Sequence, residues 1–335
     1  MNYQEAGVDI ERKARTLQAA RRRIEATYTP GVIRGLGAFG GMLAVPELRG
    51  LREPVLVAST DGVGTKTLLA AQTGRYEGLG FDLVNHAVND LLVQGARPLF
   101  FMDYIASARL EEAVLAAVLA SLAEACRAVG IPLLGGETAE MPGVYQEGAL
   151  DLAGTIVGVV EREQIVDGTK VQPGDVLLAL PSSGLHTNGY SLARRVFAGW
   201  DLEAPRGELE GRSLAEALLE PHRCYLEEVS LLQREGVEIR AMAHITGGGV
   251  YENLPRVLPE GLGAEIQRGS FPIPPIFQLI REAGQVEEGE MYRVFNMGLG
   301  YILVLSPAMA ARARALLPQA YPVGYIMEGS GVRVA

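Results

Sequence analysis

Both halves of the sequence repeat one arrangement, a short apolar stretch typical of a β-strand that runs directly into a glycine-rich segment. In the first half, the stretch 54–59 (PVLVAS) precedes Asp61, and the stretch 131–134 runs into Gly135. In the second half, the stretch 175–180 precedes a Ser/Gly loop. Helical patterns separate the strands in both halves. This mixture predicts an α/β (α+β) fold.

The chain has 335 residues, which is more than one hydrophobic core usually contains. The stretch 166–174 (VDGTKVQPG) is rich in turn residues and lies between the two sets of strands. We therefore predict an N-terminal domain at 1–165 and a C-terminal domain at 166–335.

Net charge, cysteine spacing and the length of apolar runs argue against several classes of function. The net charge of −10 argues against general binding to nucleic acid, although a local cationic site for one phosphate ester stays open. Cys126 and Cys224 lie far apart and form no CxxC pair, which indicates free thiols in a reducing compartment. No apolar run approaches the roughly 18 residues of a membrane span. These features predict a cytoplasmic protein that binds neither nucleic acid nor membranes.

Two glycine-rich segments resemble nucleotide-binding motifs in part. The stretch 35–40 (GLGAFG) matches the GxGxxG pattern, but a turn precedes it and Pro46 follows it, where a dinucleotide site needs a strand and a helix. The stretch 62–67 (GVGTKT) lacks the GxxxxGK[ST] spacing of a phosphate loop. Neither segment predicts a Rossmann or Walker site.

The stretch 59–66 (STDGVGTK) follows the first strand and is the first candidate site. Asp61 at a strand end could hold Mg²⁺ while the backbone N–H groups of Gly62 and Gly64 face phosphate oxygens. Lys66 is one of three lysines in an arginine-rich chain, and it suits a point charge on a phosphate. The alternative is an acid-capped turn with a solvated lysine.

Two further acids extend the candidate metal site. Asp90 lies beside the apolar stripe of the helix predicted at 78–95, where a carboxylate needs a partner or a metal unless it faces solvent. His86, one turn earlier, is interpreted as a packed side chain. Glu137 follows Gly135 and Gly136, whose missing side chains let the backbone approach a ligand. A simple turn is the alternative for this segment.

The second half contains two candidate loops. The stretch 182–189 (SSGLHTNG) combines hydroxyls and glycines before a helix predicted from Tyr190, which suits a monophosphate or plain helix capping. The stretch 244–249 (HITGGG) places three glycines after a strand, where close approach to a ligand or to the backbone explains them. His244 could serve as acid, base or hydrogen-bond donor.

These residues together predict a Mg²⁺–polyphosphate site in the first half and a second anion loop in the other half, which fits phosphoryl transfer. The basic helix predicted at 10–24 is either a solvated amphipathic helix or a lid over a polyanionic ligand.

Read in order, the sequence resembles the phosphoribosylformylglycinamidine cyclo-ligase (aminoimidazole ribonucleotide synthetase) family. The matching stretches cover nearly the whole chain: YQEAGVDI at Tyr3, GLGAFGG at Gly35, EPVLVASTDGVGTKTLLA at Glu53, FDLVNHAVNDLLVQGARPLFFMDY at Phe81, GGETAEMPGVY at Gly135, SSGLHTNGYSLAR at Ser182, AHITGGGVYENLPRVLP at Ala243 and EMYRVFNMGLG at Glu290. His86 and Ala87 depart from the small or apolar residues expected there.

The resemblance implies a two-domain, ATP-dependent synthetase whose N-terminal sheets pair into a homodimer. It implies that ATP phosphorylates the formyl oxygen of formylglycinamidine ribonucleotide, and that an internal nitrogen then closes the imidazole ring as ADP and phosphate leave. The implied residues are Asp61, Asp90 and Glu137 for Mg²⁺; Gly62, Gly64, Thr65, Lys66, Gly135, Gly136 and Thr138 for ATP; Ser182, Ser183, Gly184, Asn188, Gly189, Gly247 and Gly248 for the ribonucleotide; and His244, Thr246 and Lys66 for catalysis.

Other readings stay open at this stage. Thiamine monophosphate kinase and selenophosphate synthetase share the general layout, but they would lack the stretches SSGLHTNGYSL and EMYRVFN. A dinucleotide-dependent oxidoreductase would depend on GLGAFGG alone. A catalytically inactive regulator is a further alternative, although the acids and Lys66 are all present.

Overall fold

The computed structural model describes residues 10–335, apart from the side chains at positions 10, 12 and 13. The motif at Tyr3 and a lid role for Arg12 and Lys13 therefore fall outside the described residues. The described chain forms two compact units. Unit 1 contains residues 10–91 and 96–163, and unit 2 contains residues 92–95 and 164–335.

Unit 1 is built on a four-stranded sheet in the order β3-β6-β4-β5. Its elements are α1 (Ile10–Glu25), β1 (Val32–Arg34), β2 (Met42–Leu43), β3 (Pro54–Gly62), α2 (Lys66–Thr73), α3 (Leu79–Leu92), β4 (Arg97–Ser107), α4 (Glu112–Val129), β5 (Leu133–Glu140) and β6 (Leu150–Glu161). Strand β6 pairs antiparallel with β3 and β4, and β4 pairs parallel with β5.

The helices of unit 1 follow from apolar spacing and from glycine. In α4, Leu115, Leu119, Leu122 and Cys126 are buried at helical spacing, so one face packs against the protein interior. The helix ends at Gly130, which adopts the left-handed conformation (φ 81°) that other residues adopt only with strain. No helix among residues 10–335 has the length and apolar character needed to cross a bilayer.

Two strands of unit 1 are longer than the sequence predicts. Strand β3 continues to Gly62, and β5 begins at Leu133 and continues to Glu140. The glycine-rich segment at Gly135 therefore lies in a strand and not in a loop. The reason is backbone pairing, because β5 stays in parallel register with β4 from Gly135 to Glu140.

The pairing aligns a row of residues across this sheet. Asp61 pairs with Gly154, Gly154 pairs with Asp103, and Asp103 pairs with Gly136. Partners in neighbouring strands point to the same face of a sheet. A side chain at Gly154 would collide with the ring of Phe101 and would lie 3.1 Å from Leu83 of α3, so this row lies on the face that α3 covers.

The structure buries Lys66, for which the sequence suggests phosphate-binding and catalytic roles, and gives it a carboxylate partner inside unit 1. The side chains of Lys66 and Asp82 are both fully buried, and Nζ of Lys66 lies 2.7 Å from Oδ1 of Asp82. A buried ammonium group needs a carboxylate partner, because its desolvation is otherwise very costly. Lys66 is therefore part of the core of unit 1, where it joins the start of α2 to α3.

Unit 2 is built on a six-stranded sheet in the order β12-β9-β11-β7-β10-β8, in which only β12 and β9 pair in parallel. Its elements are β7 (Val176–Pro181), α5 (Tyr190–Val196), α6 (Leu214–Leu218), α7 (Leu226–Arg234), β8 (Ala241–His244), α8 (Gly249–Asn253), β9 (Leu262–Ile266), α9 (Pro275–Gly284), α10 (Glu288–Val294), β10 (Leu299–Leu305), α11 (Pro307–Leu316), β11 (Tyr321–Glu328) and β12 (Gly331–Val334).

Strand β10 is the centre of unit 2, since every residue from Leu299 to Leu305 is buried. It pairs antiparallel with β7 on one side and with β8 on the other. The ends of β7 and β8 therefore lie on either side of the start of β10, where Pro181 is opposite Leu299 and His244 is opposite Tyr301. The two glycine-rich loops of this half of the chain leave the sheet at that edge.

The buried ion pair predicts an unequal effect of two lysine substitutions. We expect Lys66→Met to lower the free energy of unfolding by about 3–5 kcal/mol, because it leaves the Asp82 carboxylate buried without its cation. Lys170→Met is the control, since Lys170 and Glu238 form a pair of the same 2.7 Å length with exposed side chains. Urea unfolding of both variants measures the difference. Equally small effects would show that the buried pair does not stabilise unit 1.

Candidate functional site

Strand β3 and helix α3 bring two of the expected acids together around a histidine. Nε2 of His86 lies 2.9 Å from Oδ2 of Asp61 and 3.7 Å from Oδ2 of Asp90, four residues later on α3. The Ser59 hydroxyl donates to Asp90 Oδ2 at 3.1 Å, and the Gly62 backbone N–H donates to Asp61 Oδ1 at 2.6 Å. We call Asp61, His86 and Asp90 the acidic cluster.

The acidic cluster is asymmetric in burial and in charge. His86 is buried, whereas 51% of the Asp61 side chain is exposed. The hydrogen bond from His86 lowers the pKa of Asp61 despite partial burial. Burial by itself would lower the pKa of His86, but the hydrogen bond to Asp61 and the charges of Asp90 and Asp61 outweigh it and raise this pKa. His86 is thus buried as expected, but it is a polar partner of both acids and not only a packed side chain.

Glu137, the third expected metal ligand, does not join the acidic cluster. It lies on β5, and strands β6 and β4 separate β5 from β3. Three strand spacings correspond to about 14 Å between the backbones at Asp61 and Glu137. The structure therefore groups Asp61 with Asp90 and places Glu137 elsewhere on the sheet.

Glu137 lines a pocket of about 390 Å³ at the β5 end of the sheet of unit 1. The pocket lies among α1, the segment around Phe39, and strands β4 and β5. Asp103, Gly135, Gly136 and Thr138 are on its wall, as is Arg21 of α1. The pKa of Asp103 is raised to about 7, mainly by burial and in smaller part by the charge of Glu137. The pocket thus combines apolar surface with a carboxyl that titrates near neutral pH.

The turn between β3 and α2 has the exposed backbone of the predicted phosphate-binding loop, but its lysine is buried. Gly64 has φ 68°, a left-handed conformation that favours glycine, and Thr65 caps the start of α2 without a side-chain hydrogen bond to the helix. Gly64 and Thr65 are exposed, whereas the next residue, Lys66, is buried. Gly64 and Thr65 therefore present backbone and hydroxyl groups to solvent, without the lysine charge that the sequence suggests.

In unit 2, the loop after β7 is held by its own hydrogen bonds. The Ser182 hydroxyl donates to Asn296 Oδ1 at 2.9 Å, and Asn296 Nδ2 donates to the Gly184 carbonyl at 2.9 Å. The Ser183 hydroxyl donates to the Pro221 carbonyl at 2.6 Å. A side chain at Gly189 would collide with the ring of Phe295. The loop is consequently fixed before any ligand binds.

His186 of this loop meets two other histidines of unit 2, His222 and His244. The rings of His186 and His222 stack with their centroids 3.9 Å apart. Nε2 of His222 lies 2.9 Å from Nε2 of His244. His186 has φ 63°, an uncommon conformation for a residue other than glycine, and its Nε2 accepts the Ser183 backbone N–H at 3.2 Å. All three side chains are buried.

The segment after β8 continues from this group. The Thr246 hydroxyl donates to Asn253 Oδ1 at 3.2 Å, and Asn253 Nδ2 donates to the Gly247 carbonyl at 3.0 Å. Gly248 has φ 90° and is the N-cap residue of α8, which begins at Gly249. A methyl group on Gly247 would lie 3.1 Å from Oδ1 of Asn188, so the two glycine-rich loops approach each other closely.

Sequence reasoning missed two residues of these sites and described a third only in part. Asp103 was detectable as an acid within an apolar strand pattern, and His222 as a lone histidine in the stretch EPHRCYL. His86 was noticed but interpreted as packed. Each of these residues is a titratable side chain in an apolar stretch of sequence. This pattern indicates a functional site only once the fold shows which side chains surround it.

Two family models cover most of the chain. Residues 47–160 match the model described as AIR synthase related protein, N-terminal domain. Residues 172–335 match the model described as AIR synthase related protein, C-terminal domain.

Solved structures share the fold at low sequence identity. Thiamine-monophosphate kinase from Stenotrophomonas maltophilia K279a has a TM-score of 0.67 at 19% identity, over 95% of each chain. A hydrogenase maturation protein HypE in complex with ATP has a TM-score of 0.68 at 18% identity, over 97% of this chain and 89% of that chain. These likenesses confirm the predicted fold class.

Curated relatives are far more similar in sequence. A phosphoribosylformylglycinamidine cyclo-ligase from Synechococcus sp. (strain JA-2-3B'a(2-13)) is 48% identical over 98% of this chain and 94% of its own length. One from Bifidobacterium animalis subsp. lactis (strain AD011) is 45% identical over 99% of this chain and 98% of its own length. The chain belongs to the phosphoribosylformylglycinamidine cyclo-ligase family.

Proposed function

We propose that this protein closes the imidazole ring of 5-aminoimidazole ribonucleotide, using formylglycinamidine ribonucleotide and ATP and releasing ADP and phosphate. The observation that carries the proposal is full-length identity of 45–48% to cyclo-ligases. The acidic cluster in unit 1 and the buried histidines in unit 2 supply chemistry that suits such a reaction. A cytoplasmic location is part of this proposal.

The reaction needs a better leaving group than a formyl oxygen. Transfer of the γ-phosphoryl group of ATP to that oxygen weakens its bond to carbon, and the amidine nitrogen then attacks the carbon. The nitrogen–carbon bond forms, the oxygen departs with phosphate, and the nitrogen gives up a proton. The protein must hold the reacting groups close together and neutralise the phosphate charge.

We assign ATP to unit 1. The Gly64 backbone and the Thr65 hydroxyl lie at the exposed turn beside Asp61 and would donate hydrogen bonds to phosphate oxygens. The Gly62 N–H would first have to leave Asp61 Oδ1. The pocket wall of Gly135, Gly136 and Thr138 offers a second contact surface. HypE, which has this fold, is known in complex with ATP. Lys66 is excluded from this assignment because its ammonium group is buried on Asp82.

The acidic cluster fits a divalent cation. Oxygen atoms of Asp61 and Asp90 and Nε2 of His86 all lie within 4.8 Å of one another. Two carboxylates are the usual protein ligands of Mg²⁺, which would neutralise charge on the transferred phosphoryl group. Asp61 and Asp90 would hold the ion. Glu137 would contact it only through the ligand, given the strands between them.

We assign the ribonucleotide to the two loops of unit 2. The loop of Ser182, Ser183, Gly184, Asn188 and Gly189 and the segment of Gly247 and Gly248 approach each other. Because the serine hydroxyls already donate to protein acceptors, they would have to rotate away from those acceptors to donate to a ribose phosphate. His244 and Thr246 lie at the same edge of the sheet and are assigned to the reacting amidine.

We also infer that unit 1 forms a homodimer through its sheet. Strand β3 alternates along its length, and Leu56, Ala58 and Thr60 point away from the α3 side. Leu56 is 64% exposed and Met102 is 36% exposed. Because Thr60, Thr155 and Met102 are paired neighbours, these residues form one exposed face. An apolar sheet face of this kind is typical of an interface.

The direct test of the proposed function is turnover by the purified protein. With Mg-ATP and formylglycinamidine ribonucleotide, we expect ADP and a diazotisable aminoimidazole in equal amounts. Thiamine monophosphate is the competing acceptor, since a kinase for it shares the fold. Phosphorylation of thiamine monophosphate without formation of an aminoimidazole would replace the proposal.

A second test concerns Asp90. We expect Asp90→Asn to lower kcat by about 100-fold or more, because the cation loses one of two carboxylates. Calorimetry should show weaker binding of Mg-ATP, while thermal unfolding stays close to wild type. The exposed Asp201 provides a control, because Asp201→Asn makes the same chemical change away from the acidic cluster. Wild-type binding and turnover in Asp90→Asn would remove it from the metal site.

A third test concerns the dimer. We expect Leu56→Asp to shift the protein from dimer to monomer in sedimentation velocity, since it places a charge on each side of the interface. Val144→Asp is the control, because Val144 is also exposed, at 72%, but lies outside the strands of this sheet. Equal sedimentation of both variants and wild type would argue against this interface.

A further inference from the structure

The side chain of Asn253 holds the segment that follows β8. Asn253 is the last residue of α8 and is buried, with 4% of its surface exposed. Its Nδ2 donates to the carbonyl oxygens of Gly247 at 3.0 Å and Gly249 at 2.9 Å. Its Oδ1 accepts hydrogen bonds from the Thr246 hydroxyl and from Nη1 of Arg256, both at 3.2 Å. The four hydrogen-bonding positions of the amide are therefore all occupied.

These partners determine which end of the amide is the oxygen. The two backbone carbonyls can only accept, so the atom that lies beside both of them must be the amide nitrogen. The Arg256 guanidinium can only donate, so the atom that it contacts must be the amide oxygen. The Thr246 hydroxyl contacts that same oxygen, which carries no proton. Thr246 is therefore the donor in this contact, and its hydroxyl hydrogen points to Asn253.

The direction of this hydroxyl restricts what Thr246 can bind. A threonine hydroxyl has one hydrogen and two lone pairs. Because the hydrogen is directed to Asn253, the oxygen can offer a ligand its lone pairs. Thr246 is half-buried and Gly247 beside it is exposed, so a ligand can reach this segment. The arrangement favours a ligand N–H group at Thr246 over a carbonyl or phosphate oxygen.

We propose that Asn253 is a positioning residue that makes Thr246 a hydrogen-bond acceptor, and that Thr246 thereby selects the amidine of the substrate against the corresponding amide. The inference rests on the proposed function, in which Thr246 faces the amidine. Formylglycinamidine ribonucleotide has an N–H group where its amide analogue has a carbonyl oxygen. The N–H group can donate to Thr246, whereas the carbonyl oxygen would face a second acceptor. A site built to bind a donor rejects an analogue that lacks it.

The first measurement is binding of the two ligands to the purified protein without ATP, so that no turnover occurs. Calorimetry gives one dissociation constant for formylglycinamidine ribonucleotide and one for its amide analogue. We expect Thr246→Val to weaken binding of the amidine about 10–100-fold, as for a hydrogen bond in which one partner is charged. It should not weaken binding of the amide analogue, because an opposing acceptor is removed. Thr246→Ser retains the hydroxyl and should keep the wild-type preference.

The second measurement removes the group that orients Thr246. In Asn253→Ala the Thr246 hydroxyl can rotate and donate to a carbonyl oxygen. We therefore expect this variant to bind the amide analogue about 3–10-fold more tightly than wild type does, the gain from one neutral hydrogen bond. A purely structural role of Asn253 would instead weaken binding of both ligands. Thermal unfolding shows whether the substitution disturbs the fold.

Two comparisons keep the test decisive. Thr169→Val removes a hydroxyl from an exposed position of unit 2, and it should bind both ligands as wild type does. If Asn253→Ala does not fold, the variants at position 246 decide the outcome. Weaker binding of the amide analogue by Thr246→Val would show that Thr246 donates to the ligand, and it would overturn the proposal.

The outcomes separate this inference from the proposed function. If the wild-type protein prefers the amidine but forms no aminoimidazole, the proposed reaction is wrong and recognition by Thr246 stands. If it forms aminoimidazole and Thr246→Val keeps the wild-type ratio of the two dissociation constants, the proposed function stands and Thr246 does not select the amidine. Equal weakening of both ligands in Asn253→Ala would assign Asn253 a structural role alone.

Discussion

The backbone pairing of β3, β6, β4 and β5 determines where the acids of unit 1 lie. It places Asp61 and Asp103 in one row, two strands apart and on the same face of the sheet. Because side chains alternate along a strand, a shift of one residue in either pairing would turn an acid to the opposite face. The acidic cluster depends on this register, since α3 presents His86 and Asp90 only to the face on which Asp61 lies. The order of the strands also separates Glu137 from that cluster, because β6 and β4 lie between β3 and β5.

Much of unit 1 could be predicted from local patterns. Apolar spacing located α3 and parts of β3 and β5, and the acids Asp61 and Asp90 were expected to meet. The pattern could not show that Lys66 is buried, because a lysine at the first turn of a helix has the same local sequence whether it faces solvent or the core. Its partner, Asp82, is 16 residues away, and only the packing of α2 against α3 brings the two together. Extension of β5 through two glycines was also beyond local reasoning, since pairing with β4 overrides their weak strand propensity.

Unit 2 shows a different limit of sequence reasoning. Its two glycine-rich loops and His244 could be identified because glycines and hydroxyls after a strand are a local signal. Strands β9 and β12 and helices α9 and α10 went unpredicted, as their short patterns are ambiguous between strand, helix and loop. His186, His222 and His244 come from three separate segments of the chain. No local pattern in one of these segments predicts its contact with the other two. Long-range contacts of this kind follow from strand order, which a single sequence does not encode in any local pattern.

The close approach of β4 and β5 restricts how this protein can evolve. Any side chain at position 136 would place its first carbon 2.4 Å from the carboxylate of Asp103 and 2.5 Å from the backbone carbonyl oxygen of the same residue. A smaller residue at position 103 would relieve the first clash but not the second, because every amino acid carries that carbonyl. Position 136 is thus closed to substitution for as long as the two strands remain paired. The pocket wall at position 136 therefore consists of backbone atoms alone. The ligand specificity of the pocket can change only through the side chains around this position.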